Sequence, residues 1–90
     1  MNFTYNQNQI AYFDASGKLL AEVTFPDIDD QIVDISHTFV DDSLRGQGVA
    51  GQLMEAAAGY LRSQNKQATL TCSYAVKWFD QHPEYRDVIK

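Results

Sequence analysis

Ninety residues suffice for one domain with a single core, expected to span positions 1–90, but not for a doubly wound cofactor domain joined to a substrate domain. Hydrophobic residues at 44% and charged residues at 21% mark a globular rather than a disordered chain, and 12 Asp and Glu against 7 Lys and Arg exclude a broad basic surface for nucleic acid. The single Cys72 excludes an internal disulfide and a cysteine-rich zinc site, so no metal is expected and the cytoplasm is the expected compartment. No basic, apolar leader opens the chain and no apolar run approaches spanning length, so no membrane partner is expected.

In chain order, residues 2–6 and 9–14 carry aromatic and β-favouring side chains, and the turn Asp14-Ala15-Ser16-Gly17 leads to a third strand over Lys18–Phe25. These make an antiparallel meander, broken by Pro26-Asp27-Ile28-Asp29-Asp30. Ile32–Val40 then reads as one central strand, with Val33, Ile35, His37 and Phe39 in a single phase. After a glycine-rich turn, Val49, Leu53, Ala56, Ala57, Tyr60 and Leu61 fall at helical spacing over about four turns. Gln67–Ser73 reads as an interior strand, and Ala75–Gln81, with Val76, Trp78 and Phe79, as a short helix stopped by His82-Pro83.

The turn itself, Arg45-Gly46-Gln47-Gly48-Val49-Ala50-Gly51, contains the spacing G-x-G-x-x-G. Glycines so placed let the backbone bend and approach a ligand closely, with several N–H groups aimed at one anion. A dinucleotide-binding unit would have this turn directly after its first parallel strand and a carboxylate ending the next one to hold the ribose. Here a long meander precedes the turn and the following strand ends in Thr71-Cys72-Ser73, which argues against NAD.

Arg45, Gly48 and Ala50 follow, in order, the pattern Arg or Gln, two residues, Gly, one residue, Gly or Ala. With Ile35-Ser36-His37-Thr38-Phe39-Val40, Cys72-Ser73-Tyr74 and His82-Pro83, the chain resembles the GNAT superfamily of acetyl-CoA-dependent N-acetyltransferases, in particular a small single-domain group, over most of residues 9–88. The resemblance implies a compact α/β domain with a mixed, mostly antiparallel sheet flanked by helices, acetyl-CoA as cofactor and an amine as acceptor. It places the pyrophosphate on the loop Arg45, Gly46, Gln47, Gly48, Val49, Ala50 and Gly51. It also implies that the strands at 32–41 and 67–73 splay apart around the thioester, with oxyanion donors near Phe39 and Val40. Independently of the resemblance, a helix beginning near Gly48 offers unpaired N–H groups and a partial positive charge, which reconciles an acidic protein with an anionic cofactor. Arg45 adds a charge for that anion or is solvated, and close approach to the sheet or the ligand accounts for Gly51 and Gly59 within the helix, with packing the expected reason at Gly59.

Acetyl transfer to an amine needs a base, oxyanion donors and a proton for the departing thiolate. His37 is the expected catalytic base, because an imidazole titrates near neutrality; its phase is equally that of a hydrogen-bonded core histidine. Cys72 is a covalent acetyl carrier, a contact to the acetyl group and pantetheine, or a small buried thiol. Larger superfamily members carry Asn, Ala and Tyr where this chain has Cys72, Ala75 and Phe79, and Phe79 has no proton to give. Tyr74 is a substitute acid or a residue packed on the sheet, and Asp34 and Glu55 are secondary base candidates or solvated surface carboxylates. The alternative to an enzyme is a non-catalytic acyl-CoA-binding or regulatory module; a pure protein-interaction domain would leave the glycine turn unexplained.

Overall fold

The computed structural model describes Met1–Lys90. Strands β1 (Thr4–Asn6), β2 (Gln9–Phe13) and β3 (Leu19–Thr24) form the expected meander. Its second turn is fixed by Asp14, whose carboxylate accepts from the Ser16 hydroxyl at 2.7 Å and the Lys18 amide at 3.0 Å; these bonds hold its carboxyl below the ordinary range.

The segment expected as one strand over Ile32–Val40 is two. Strand β4 (Ile32–Ile35) and strand β5 (His37–Val40) are separated by Ser36, whose N–H donates to the Thr24 carbonyl at 3.2 Å. β5 pairs antiparallel with β3, closing a four-stranded sheet of order β1-β2-β3-β5. β4 turns the other way and pairs parallel with β6 (Gln67–Leu70). Because each half takes a different partner, the alternation does not carry one face through Ser36: Val33 and Ile35 are buried, whereas His37 and Phe39 face outward.

Helix α1 (Val49–Ser63) packs on β2, β3 and β5 through Val49, Leu53, Met54, Ala57, Ala58 and Leu61, all buried. Ala56 and Tyr60, expected on that face, flank it and are half-buried, and Tyr60 rests against Phe25 at 5.9 Å. Gly59 is exposed with open space around it, so close packing does not explain it; Gly51 is the glycine that packs closely. β6 ends at Leu70, and helix α2 (Ser73–Asp80) starts two residues earlier than expected. The reason is that Thr71 and Cys72 both donate to the Ile35 carbonyl, after which the chain has no strand to follow. A 3-10 segment, Pro83–Val88, returns the chain to α1, and Ile89 bridges Ala68.

A core of 17 buried residues joins the sheets to both helices, with Trp78 and Phe79 anchoring α2 as expected. Their rings meet edge to face at 4.9 Å, and His82 stacks on Trp78 at 3.8 Å. No helix is long and apolar enough to cross a membrane.

Candidate functional site

The chain leaves β5 through Asp41, which caps a 3-10 turn over Asp42–Leu44 by accepting from the Ser43 hydroxyl at 2.7 Å and the Ser43 amide at 3.0 Å. Those bonds hold the Asp41 carboxyl below its usual range. Arg45 follows, its Nε 3.0 Å from Asp42 Oδ1 in an exposed pair that contributes little energy but keeps the guanidinium at the turn. Gly46 (φ 80°) and Gly48 (φ 71°) then take left-handed conformations, and Gly48 caps α1 without a side-chain bond.

From Gly46 through Gly51 no backbone N–H finds an acceptor within the chain. The first that does is Gln52, bonded to the Gly48 carbonyl at 3.1 Å. These donors border a cavity of about 200 Å³ lined by Leu44, Arg45, Gly46, Gly48–Gly51, Val40 from β5 and Tyr74 from α2. No acidic residue lies in the first turn of α1. Unpaired amides, the positive end of a helix and a first turn without carboxylates are features that favour an anion. A larger cavity of about 590 Å³ lies elsewhere, among Leu70, Val76, Phe79 and Pro83, and contains none of these donors.

Val40 links the turn to a gap between strands. Thr71 N–H and Cys72 N–H, at 3.1 and 3.0 Å from the Ile35 carbonyl, are the last backbone hydrogen bonds between the two chain segments. Beyond them β5 belongs to β3 alone. Asp41 N–H donates to the Leu20 carbonyl at 2.7 Å, and antiparallel alternation then turns the amides of Phe39 and His37 toward β3 and those of Thr38 and Val40 into the gap. Cys72 sits at the apex, its Sγ 3.4 Å from Thr38 Oγ1. Thr38 is a residue that the sequence reading missed; strand register alone reveals it.

His37 and Phe39 project from the opposite face of β5, the face not covered by α1. Thr38 and Val40 are paired with the buried Val23 and Ala21, whereas Phe39 and His37 are paired with Glu22 and Thr24. His37 therefore does not occupy the core. Its side chain is 55% exposed, with Nε2 3.4 Å from Glu22 Oε2, and Glu22 in turn accepts from Gln9 Nε2 at 2.8 Å. The sequence reading missed Glu22 too, although a lone carboxylate between Ala21 and Val23 was its available signal. His37 and Cys72 lie on different faces of the strand and are not brought together. Asp34 accepts from the Thr69 and Thr71 hydroxyls at 2.7 and 2.5 Å, and Glu55 is exposed on α1. Phe79 is buried beside Trp78, with no hydroxyl at that position.

A family model described as GCN5-related N-acetyl-transferase matches residues 9–88. The chain belongs to this family. A GCN5-like protein from Staphylococcus aureus, solved in solution, superposes on this GCN5-related chain with a TM-score of 0.81 and 30% identity, covering 99% of this chain and 87% of that one. The GNAT family N-acetyltransferase YhbS from Escherichia coli, solved in complex with CoA, gives a TM-score of 0.57 at 28% identity over 64% of this chain and 35% of its own. Among curated proteins, NATD1 of Gallus gallus is 40% identical over 53 residues, which is 59% of this chain and 48% of that protein. The human NATD1 matches equally over the same length. The chain thus spans about half the length of the curated relatives it matches.

Proposed function

We propose that the protein binds acetyl-CoA and transfers its acetyl group to an amine. The observation that carries this reading is the run of unsatisfied amides from Gly46 to Gly51, continuous through Val40 with the gap beside β5. The CoA pyrophosphate lies against those amides and Arg45, and the pantetheine runs along the gap past Cys72. That the E. coli relative is a CoA complex supports the assignment.

In the reaction, the thioester carbonyl is polarised by the amide of Val40. Phe39 frames the reacting carbon from the outer face. The acceptor amine approaches from that outer face while the cofactor enters from the α1 side, so the two reactants meet through the gap. His37 removes the amine proton, and Glu22, 3.4 Å away, orients the imidazole and stabilises the imidazolium it becomes. The C–S bond breaks as the C–N bond forms. Because a thiol has an ordinary pKa of about 8.5, the thiolate leaves readily and takes its proton from solvent, without the hydroxyl that Phe79 lacks. Cys72 serves as a contact to the pantetheine and not as a covalent carrier, since Thr38 is its polar neighbour and no cation activates it.

The test is turnover of acetyl-CoA against a panel of primary amines as a function of pH. We expect His37→Ala to cost about a hundredfold in kcat and to flatten the pH–rate profile while CoA still binds. Phe79 favours one second reading, a non-catalytic acyl-CoA-binding module. Tight CoA binding with no turnover on any amine would establish it.

A further inference from the structure

The larger cavity, of about 590 Å³, is a groove between two helical walls, and the proposed transfer makes no use of it. One wall is α2. Ser73, Val76, Lys77 and Asp80 line the groove from positions i, i+3, i+4 and i+7 of that helix, a stripe beside the one that Ala75, Trp78 and Phe79 bury in the core. Val76 is accordingly 48% exposed, an apolar side chain left facing open space. The other wall is the 3-10 segment and its cap, from which Pro83, Arg86 and Ile89 line the groove at intervals of three residues. Leu70, at the end of β6, and Phe79 complete an apolar lining. The charges on it are unusual for this chain. Arg45, Arg62 and Lys66 each pair with a carboxylate, at 3.0, 2.6 and 3.8 Å, whereas Lys77 and Arg86, one on each wall, form no ion pair. Asp80 pairs with neither of them, so the groove carries two cations against one carboxylate in a chain whose net charge is −5.

We infer that this groove is a second binding site, for an aliphatic monocarboxylate. An apolar body laid between the walls removes Val76, Leu70 and Ile89 from water, which is the driving force for binding. Its carboxylate meets the donor fork of Arg86 and the point charge of Lys77. Asp80 selects the charge of the ligand: a dianion is repelled by it, and an uncharged chain leaves both cations without a partner. The stripe from Ser73 to Asp80 runs for seven helical rises, about 10 Å, so a chain of medium length lies along α2. No residue lines both this groove and the cavity at the glycine turn, so each site can fill without displacing the occupant of the other.

The probe is octanoate, titrated into the isotope-labelled protein with octanol as its uncharged counterpart. The same titrations are made on Lys77→Gln and Arg86→Gln, both at exposed positions, with melting temperatures to confirm that each variant folds as the parent does. We expect the methyl signals of Leu70, Val76 and Ile89 to shift saturably with octanoate while the Gly46–Gly51 amides stay still. Octanol should bind about fivefold more weakly, and each substitution should weaken octanoate by about the same factor, the size of a partly exposed charge contact. Methyl signals that do not saturate, shifts confined to the glycine-turn amides, octanol equal to octanoate, or an unchanged octanoate Kd in either variant would overturn the inference. None of these outcomes bears on the cofactor assignment, which titration with CoA tests separately.

Discussion

The two ends of α1 are built on opposite terms. At its C-terminal end the Gln64 N–H reaches the Tyr60 and Leu61 carbonyls, each at 3.1 Å, and Arg62 forks onto Asp87 at 2.6 and 2.8 Å while donating to the Glu84 carbonyl. The same guanidinium lies 5.2 Å above the Tyr85 ring, so the tail residues Tyr85 and Asp87 fasten the helix end. At the N-terminal end nothing is fastened. Gly48 caps without a side chain, no carboxylate accompanies the dipole, and the amides remain open. Stability is invested at one end, and the other is left incomplete, as the proposed binding role requires.

Breaking the open end has the largest expected effect. Gly48 is left-handed with nothing within 4 Å of where a Cβ would sit, so the first atom of a side chain in Gly48→Val meets open space. It costs about 1–2 kcal/mol of stability through the backbone alone, and more than tenfold in CoA affinity because the side chain fills the ligand's space. Isothermal titration with equal affinity in both proteins would remove the cofactor from this turn. Next comes Ala50→Glu, which supplies the carboxylate the first turn lacks. It should raise stability by about 0.3–1 kcal/mol, because negative charge suits a helix N-terminus, and weaken CoA several-fold by repulsion. Thermal melts and titrations moving in the same direction would contradict the division of labour.

The closed end is tested by acid. Hydrogen bonding to Arg62 and its charge hold the Asp87 carboxyl below the ordinary carboxylate value. A group depressed on folding contributes stability that is complete above its unfolded pKa and is lost as pH falls through the folded one. Melting temperature should therefore decline below the usual carboxylate range, less steeply in Asp87→Asn, whose melting point is lower at neutral pH while its CoA affinity is unchanged. The smallest effect is expected at Cys72→Ala, which removes a contact bordering the open site: CoA binding within about 1 kcal/mol of the parent, and turnover retained. A stoichiometric acetyl adduct on Cys72 in intact-protein mass spectrometry would instead make it the nucleophile.

The open end was legible because its chemistry is local. Arg45, Gly48 and Ala50 are fixed by spacing along seven residues, and the meander and α1 follow from periodicity within single segments. The closed end was not, since Arg62 and Asp87 are 25 residues apart and only the return of the chain unites them. The same limit hid Glu22 from His37 and Thr38 from Cys72, contacts that depend on strand register. The break at Ser36 escaped for another reason. Val33, Ile35, His37 and Phe39 preserve their alternation across it, and alternation reports a face without reporting which strand lies alongside. Reading Gln67–Ser73 as strand to its end likewise left Tyr74 on the sheet, away from the cavity that it lines with Gly51.

Ser36 has one more consequence. By sending β5 to β3 and β4 to β6, it creates a sheet edge inside the fold, where Thr38 and Val40 present main-chain groups with no neighbouring strand. Exposed edges invite pairing with other chains, and proteins manage them by covering or obstructing them. Here Cys72 and the start of α2 stand across the opening. A ligand that carries amides of its own and fits that slot would complete the sheet as a strand does, so occupancy and folding become linked: at a hundred times its Kd it adds about 2.7 kcal/mol to the folded state. The melting temperature of this protein would then measure how much of such a ligand surrounds it.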